Sequence, residues 1–214
     1  GKIRNANSYS NAAQVLQCGG IPITLGIARD RVQELTEKIR AGLAQGVDLF
    51  LTSGGVSVGD FDVVKDVLAA QGEINFWRVR MKPGKPMAFG RLSFRAKRGI
   101  SLVPVLGLPG NPVSVMVSFE MFVRPAILKM LGMTALARPT VEAVLMDGVK
   151  DKDERRHYLR ARVEQQEGEY RAYLTGEQGS GILSSMVKAN ALVVIPEEWA
   201  SAPSGARVQA MLLD

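Results

Sequence analysis

One cysteine, Cys18, and one histidine, His157, stand among 214 residues. A single thiol excludes an internal disulfide framework and leaves no thiolate cluster for zinc or iron–sulfur. A single imidazole gives any Ser–His–Asp machinery one candidate base. No apolar run reaches the roughly 18 residues of a membrane helix. Gly1-Lys2-Ile3-Arg4-Asn5 has no apolar stretch behind its charges, so it reads as no secretory signal. These absences suit a soluble protein in a reducing, cytoplasmic setting, with no membrane. Internal repeats and low-complexity segments are also missing.

The net charge is +6, yet the excess is local. Arg78, Arg80, Lys82, Lys85, Arg91, Arg95, Lys97 and Arg98 fall in one window without an acid, and the remainder holds 19 basic against 21 acidic residues. Such a patch attracts phosphate or another small polyanion, or lies solvated on a hairpin. Nucleic-acid readers interleave aromatics with their charges. Here Trp77, Phe89 and Phe94 only flank or interrupt the run, so no nucleic-acid partner is expected.

Helix-like and strand-like segments alternate through the first two-thirds. Asn7 or Ser8 can cap a helix to Gln17 that Gly19 closes. Ile21 to Leu25 reads as a short strand. Asp30 can cap a helix whose Val32, Leu35, Ile39 and Leu43 share one face, ending at Gly46. Val47 to Thr52 is a strand, and Asp60 can cap a helix to about Ala70. Ile74 to Val79, Met87 to Arg91 and Leu102 to Leu106 are further strands. Asn111 and Pro112 begin a helix toward Leu131, in which Pro125 implies a kink or two shorter helices. Alternation of this kind predicts an α/β fold with a doubly wound, mainly parallel sheet covered on both faces. After Arg138-Pro139 the period changes to two: Leu159, Ala161 and Val163, then Tyr170, Ala172 and Leu174 across a turn at Gln166–Glu169. Ala191–Ile195 and Arg207–Leu213 add two strands. The chain divides into an α/β domain, 1–136, and a small antiparallel β-barrel domain, 137–214.

Two special loops follow expected strands, where ligands of such sheets bind. Ser53-Gly54-Gly55 before a capped helix can offer backbone N–H groups to an anion, or be a tight turn with no ligand. It lacks the Gly-Lys-Ser/Thr of a Walker loop and the Gly-x-Gly-x-x-Gly of a dinucleotide site. Gly55-Val56-Ser57-Val58-Gly59 also matches the nucleophile elbow of serine hydrolases. That alternative needs His157, which reads as a surface histidine in a solvated turn. Asp60 and Asp62 can cap the helix, or hold a divalent cation beside phosphates. Lys82-Pro83-Gly84-Lys85-Pro86 is a rigid turn with two ammonium groups, either an anion site with Arg78 or a solvated hairpin.

Taken together, Gly1–Ser8, Thr52–Asp62, Lys82–Gly90 and Gly107–Ser114 resemble, in order and spacing, the motifs of MoeA-like proteins and the gephyrin E domain. Gly176-Glu177-Gln178-Gly179-Ser180 is similar to a motif in the last domain of that family. The resemblance implies a molybdopterin-binding domain of the MoaB/MogA type followed by a β-barrel. It implies molybdenum cofactor synthesis: Mg²⁺-dependent release of AMP from adenylylated molybdopterin with insertion of molybdate. It places Asp62 at the catalytic or metal position, with Asp60 the other Mg²⁺ candidate. Lys82, with Arg78, would contact the pterin phosphate or molybdate region. Arg160 and Ser180 would help bind molybdate. Asn5, Ser53, Gly54, Gly55, Ser57, Lys85, Pro109, Gly110 and Asn111 complete the implied binding set.

Asn5 stands where some relatives carry an acid, and Arg78 where some carry lysine. The family also has a dimerising N-terminal part and a Thr-Gly-Asp-Glu motif on the first strand, so the chain reads as a fragment of a homodimeric protein. The molybdopterin adenylyltransferase is a candidate partner, and a pterin binder of that type is the nearer rival reading.

Overall fold

The computed structural model describes residues 4–29, 31–56, 63–96, 99–150 and 153–213. Its first strands are β1 (Phe50–Ser53), β2 (Gly72–Arg78), β3 (Met81–Lys82), β4 (Pro86–Ala96) and β5 (Gly99–Leu108). Four of them form a sheet in the order β1-β5-β4-β2. Only β1 and β5 run parallel; β5–β4 and β4–β2 are antiparallel. The described sheet is therefore mixed, which corrects the mainly parallel expectation. The reason is local: β4 and β5 are consecutive and pair out to Ala96 and Gly99, and strands separated by so few residues must be antiparallel.

Both faces are covered, as the alternation predicts. Side chains of a strand point alternately up and down. Val103 and Val105 of β5 pack with Leu35, Ile39 and Leu43 of α2 (Val32–Leu43) and with Val67 and Leu68 of α3 (Val63–Gln71). Leu106 and Leu108 point the other way, into a cluster with Val115, Phe119 and Ile127. This second layer holds α1 (Asn7–Gln17), α4 (Pro112–Ser118), a π-helical turn (Phe119–Val123) and α5 (Arg124–Met130). Pro125 has no N–H to give. The ladder changes register just before it, with Arg124 N–H donating to Phe119 O. The proline is thus absorbed by a π turn between two short α-helices.

Other local expectations fare differently. Ala6, rather than Asn7 or Ser8, stands at the cap position of α1 and offers no side-chain bond, while Asn5 just before it accepts from Ser8 N–H through Oδ1 at 3.2 Å. Gly19 and Gly46 follow α1 and α2 in left-handed conformations, as expected of helix stops. No strand forms over Ile21–Leu25; the segment is irregular and Ile21 is 90% exposed. Pro22 cannot donate to a ladder. The caps expected at Asp30 and Asp60 lie outside the described residues.

The second domain comprises β6 (Thr140–Leu145), β7 (Arg156–Gln166), β8 (Glu169–Leu174), α6 (Leu183–Val187), β9 (Ala191–Ile195) and β10 (Arg207–Leu212). The ring β7-β8-β6-β10-β9 closes through β7–β9 pairing. It is largely antiparallel, but β6 and β8 run parallel. Glu167 and Gly168, both at positive φ, make the tight turn between β7 and β8. Met81 and Lys82 add to the barrel as β3, parallel to β7 at Arg156 and His157. Beneath that pairing, Met81, Val113 and Val117 from the first domain pack on Met186 and Leu192 from the second. No described helix is long and apolar enough to cross a membrane.

Glu120 ties these parts together. It is 6% exposed, and its carboxylate accepts from Gln14 Nε2 of α1 at 3.1 Å and Arg138 Nε of the interdomain link at 3.0 Å. Glu120→Ala would strand Arg138 in a nearly dry place and leave Gln14 Nε2 only its bond to Met116 O at 3.3 Å. It should cost about 3 kcal/mol in urea unfolding; a loss below about 0.5 kcal/mol would show that this carboxylate is not a tie.

Candidate functional site

Parallel pairing of β1 with β5 brings the loops after both strands to one edge of the sheet. Ser53 lies opposite Leu108 in register. Antiparallel β4 starts at that same edge, which carries the Lys82–Pro86 turn there. The two glycine loops are bonded to each other. Gly54 N–H donates to Leu108 O at 3.0 Å, and Asn7 Nδ2 donates to Ser53 Oγ at 3.1 Å and Gly110 O at 2.9 Å. Gly54 has φ +87° and Gly55 φ +71°, conformations that favour glycine.

A loop of the second domain completes the enclosure. Asn111 Nδ2 donates to Ser180 Oγ at 2.9 Å, and Val113 N–H donates to Ser180 O at 3.1 Å. Asn111 stands at the cap position of α4, but its side chain crosses to the barrel instead of capping its own helix. A cleft of about 500 Å³ results, lined by Gly54, Gly55, Lys82, Lys85, Pro109, Gly110, Asn111 and Ser180, together with Ser114, Arg155 and Gln178.

So the structure joins most of the residues expected from the separate motifs. Ser53 contributes through its bond to Asn7, and Asn5 acts as the turn before α1. Arg78 ends β2 opposite Pro86, is exposed, and is not among the lining residues. Arg160 is also absent from the wall, because it is fully buried. It lies behind the 177–180 loop, donating to Gly179 O at 3.1 Å and Ser185 Oγ at 3.0 Å, while its Nη1 has no partner. Burial alone pulls its pKa down to about 10, so it remains a cation at neutral pH. Ser57, Asp60 and Asp62 lie outside the described residues.

Arg155 and Asp153 escaped the sequence reading, and Ser114, Gln178 and Asn7 lay within its motifs without being given a place in the site. Gln178 receives the Arg160 N–H at 2.8 Å and fixes the loop. Asp153 accepts from Arg155 Nη2 at 2.6 Å, with Lys82 Nζ 3.5 Å away. Arg155 hydrogen bonding, above all, holds this carboxyl well below the usual carboxylate range. His157 is not a surface residue; it is 4% exposed, with Nε2 3.0 Å from Asp153 Oδ1. Pairing of β7 on both sides, with β3 and with β9, buries it. The only signal available was the clustered charge of 150–156, which looks solvated until β3 pairs there.

Comparisons with known proteins agree along the whole chain. Residues 1–129 match the family described as "Probable molybdopterin binding domain", and residues 142–213 match "MoeA C-terminal region (domain IV)". The chain is 36% identical to the molybdopterin molybdenumtransferase of Haemophilus influenzae, covering 87% of the chain and 44% of the relative. It is 35% identical to the gephyrin of Dictyostelium discoideum, covering all of the chain and 33% of that protein. Among solved structures, the molybdopterin biosynthesis moea protein from Pyrococcus horikosii superposes with a TM-score of 0.78 at 29% identity, over all of the chain and 49% of that structure. The chain thus spans about a third to half of the length of such relatives.

Two outcomes test the geometry. Gly84 has φ +108°, and a Cβ there would meet Ser118 Oγ at 2.6 Å. Gly84→Ala should destabilise by about 2 kcal/mol in chemical denaturation and displace Lys82 and Lys85; unchanged stability would contradict this packing. Asp153 has a folded pKa below its unfolded value of about 3.9. Its contribution is complete above that value and is lost as pH falls toward the folded pKa. The destabilisation by Asp153→Asn should therefore be largest near about pH 6 and shrink below about pH 3. A difference that stays constant across this range would rule out the ion pairing.

Proposed function

The chain belongs to the MoeA family of molybdopterin-binding proteins, and from that premise we propose that its cleft is where adenylylated molybdopterin loses AMP and molybdate is inserted. The observation that carries the reading is the meeting of Gly54-Gly55, Lys82, Lys85, Pro109–Asn111 and Ser180 around one space. A pyrophosphate and an oxyanion are both polyanions. Fixed cations and preset donors favour the charge that builds on phosphate oxygen as AMP leaves, because they need no reorganisation at that moment. Lys82 and Lys85 act as the charge-neutralising pair. Ser180 offers its hydroxyl to molybdate, and Arg160 acts through the 177–180 loop that it holds. The glycine loops admit the nucleotide to the backbone.

Mg²⁺ enters the proposal only through Asp60 and Asp62. Among the described residues no group of three or more His, Cys, Asp or Glu could hold a metal ion. Asp153 is already engaged by Arg155. In the same proposal the setting is cytoplasmic, the protein acts as a homodimer, and a molybdopterin adenylyltransferase supplies the nucleotide. The buried thiol Cys18, its pKa raised by burial, suits a reducing compartment.

The test is AMP release from adenylylated molybdopterin with Mg²⁺ and molybdate, comparing the parent with Lys82→Ala. The variant should lose about a hundredfold or more in rate, as expected when a fixed transition-state donor is removed. Equal rates would remove Lys82 from the chemistry; saturable nucleotide binding without release would limit this chain to binding.

A further inference from the structure

Two cations of the cleft wall come from different domains. Lys82 belongs to β3, in the turn of the first domain, whereas Arg155 precedes β7 of the barrel. One carboxylate holds both. Asp153 Oδ1 accepts from Arg155 Nε at 3.0 Å, Oδ2 accepts from Arg155 Nη2 at 2.6 Å, and Lys82 Nζ stands 3.5 Å from Oδ2. Arg155 N–H also donates to Oδ1 at 3.1 Å, and His157 Nε2 lies 3.0 Å from the same oxygen. His157 pairs directly with Lys82 in the β3–β7 register, so the backbone sets the spacing that the side chains then share.

Lys and Arg side chains have wide rotamer freedom, and a carboxylate that grips both removes it before a ligand arrives. The bidentate pair uses two of the five guanidinium N–H groups, so Arg155 can face a ligand while held. Against this, a negative charge next to an anion site weakens the attraction for anions. The two effects have opposite signs, which makes the role of Asp153 separable by experiment.

We propose that Asp153 is a positioning residue that fixes Lys82 and Arg155 as a two-cation clamp across the domain seam. The inference rests on the reading of the cleft as a pyrophosphate and oxyanion site. Its test needs no pterin, so it can fail or succeed independently of AMP release.

Inorganic pyrophosphate and molybdate are titrated by calorimetry into the chain, Asp153→Asn and Arg155→Lys, at constant ionic strength and at a temperature where all are folded. Asp153→Asn adds positive charge. If the carboxylate matters only as a charge, binding tightens. If it positions the clamp, pyrophosphate binding weakens about tenfold, since side chains freed in the variant must be ordered on binding. Arg155→Lys keeps the charge but loses the fork, and binding should weaken similarly. Tighter or unchanged pyrophosphate binding by Asp153→Asn overturns the positioning role. Unchanged binding by Arg155→Lys overturns the role of its guanidinium fork. A parent chain that binds neither anion overturns the clamp altogether. Should Asp153→Asn fail to fold, Asp153→Glu takes its place: it keeps the charge but shifts the carboxylate by one methylene, so pyrophosphate binding should weaken, and unchanged binding overturns the positioning role.

Discussion

A two-residue strand sets the geometry on which the cleft depends. Met81 and Lys82 leave the first domain, pair with Arg156 and His157, and so become part of the barrel sheet. Backbone pairing fixes register to within one residue, because a slip would turn every side chain to the other face. Met81 faces the apolar seam with Val113, Val117, Met186 and Leu192, while Lys82 next to it lines the cleft. Burial of that seam supplies the non-directional stabilisation, and the pairing supplies direction.

The loops that surround the cleft are bonded to one another before any ligand is present. Asn7 joins the two glycine loops, Asn111 reaches Ser180, and Arg160 with Gln178 stiffens the loop from behind. Each of these bonds is modest in net energy. Together they remove freedom that a polyanion would otherwise have to quench on binding. The buried charge of Arg160 fits this picture: it is costly to desolvate, and among the described residues its guanidinium donates to loop carbonyls and a hydroxyl.

Charge is sorted in the same way. Of the basic window, Lys82 and Lys85 face the cleft, Arg91 pairs with Glu73 on the outer hairpin, and Arg78 and Arg95 are exposed. Arg155, outside that window by sequence, takes its place in the wall. The β4–β5 pair carries Arg91 and Arg95 away from the cleft edge, which is why part of the patch in sequence lies apart from the cleft in space.

Local preference and period are properties of short segments, and those the sequence by itself determined. It set the helix starting at Asn111-Pro112, the stops at Gly19 and Gly46, and the two-residue alternation of β7 and β8. Strand direction was not legible: the mainly parallel expectation failed because the short separation of β4 and β5, rather than element alternation, orients those strands. Neither was the burial of His157, nor the membership of Arg155 and Asp153, since residues 150–156 have the composition of a solvated turn. Only the tertiary structure decided the burial of His157 and the place of Arg155 and Asp153, because they depend on contacts between segments more than 70 residues apart, as from Lys82 to Asp153. Such contacts form when seam burial and strand register hold both segments in place, and no local window of sequence contains that term.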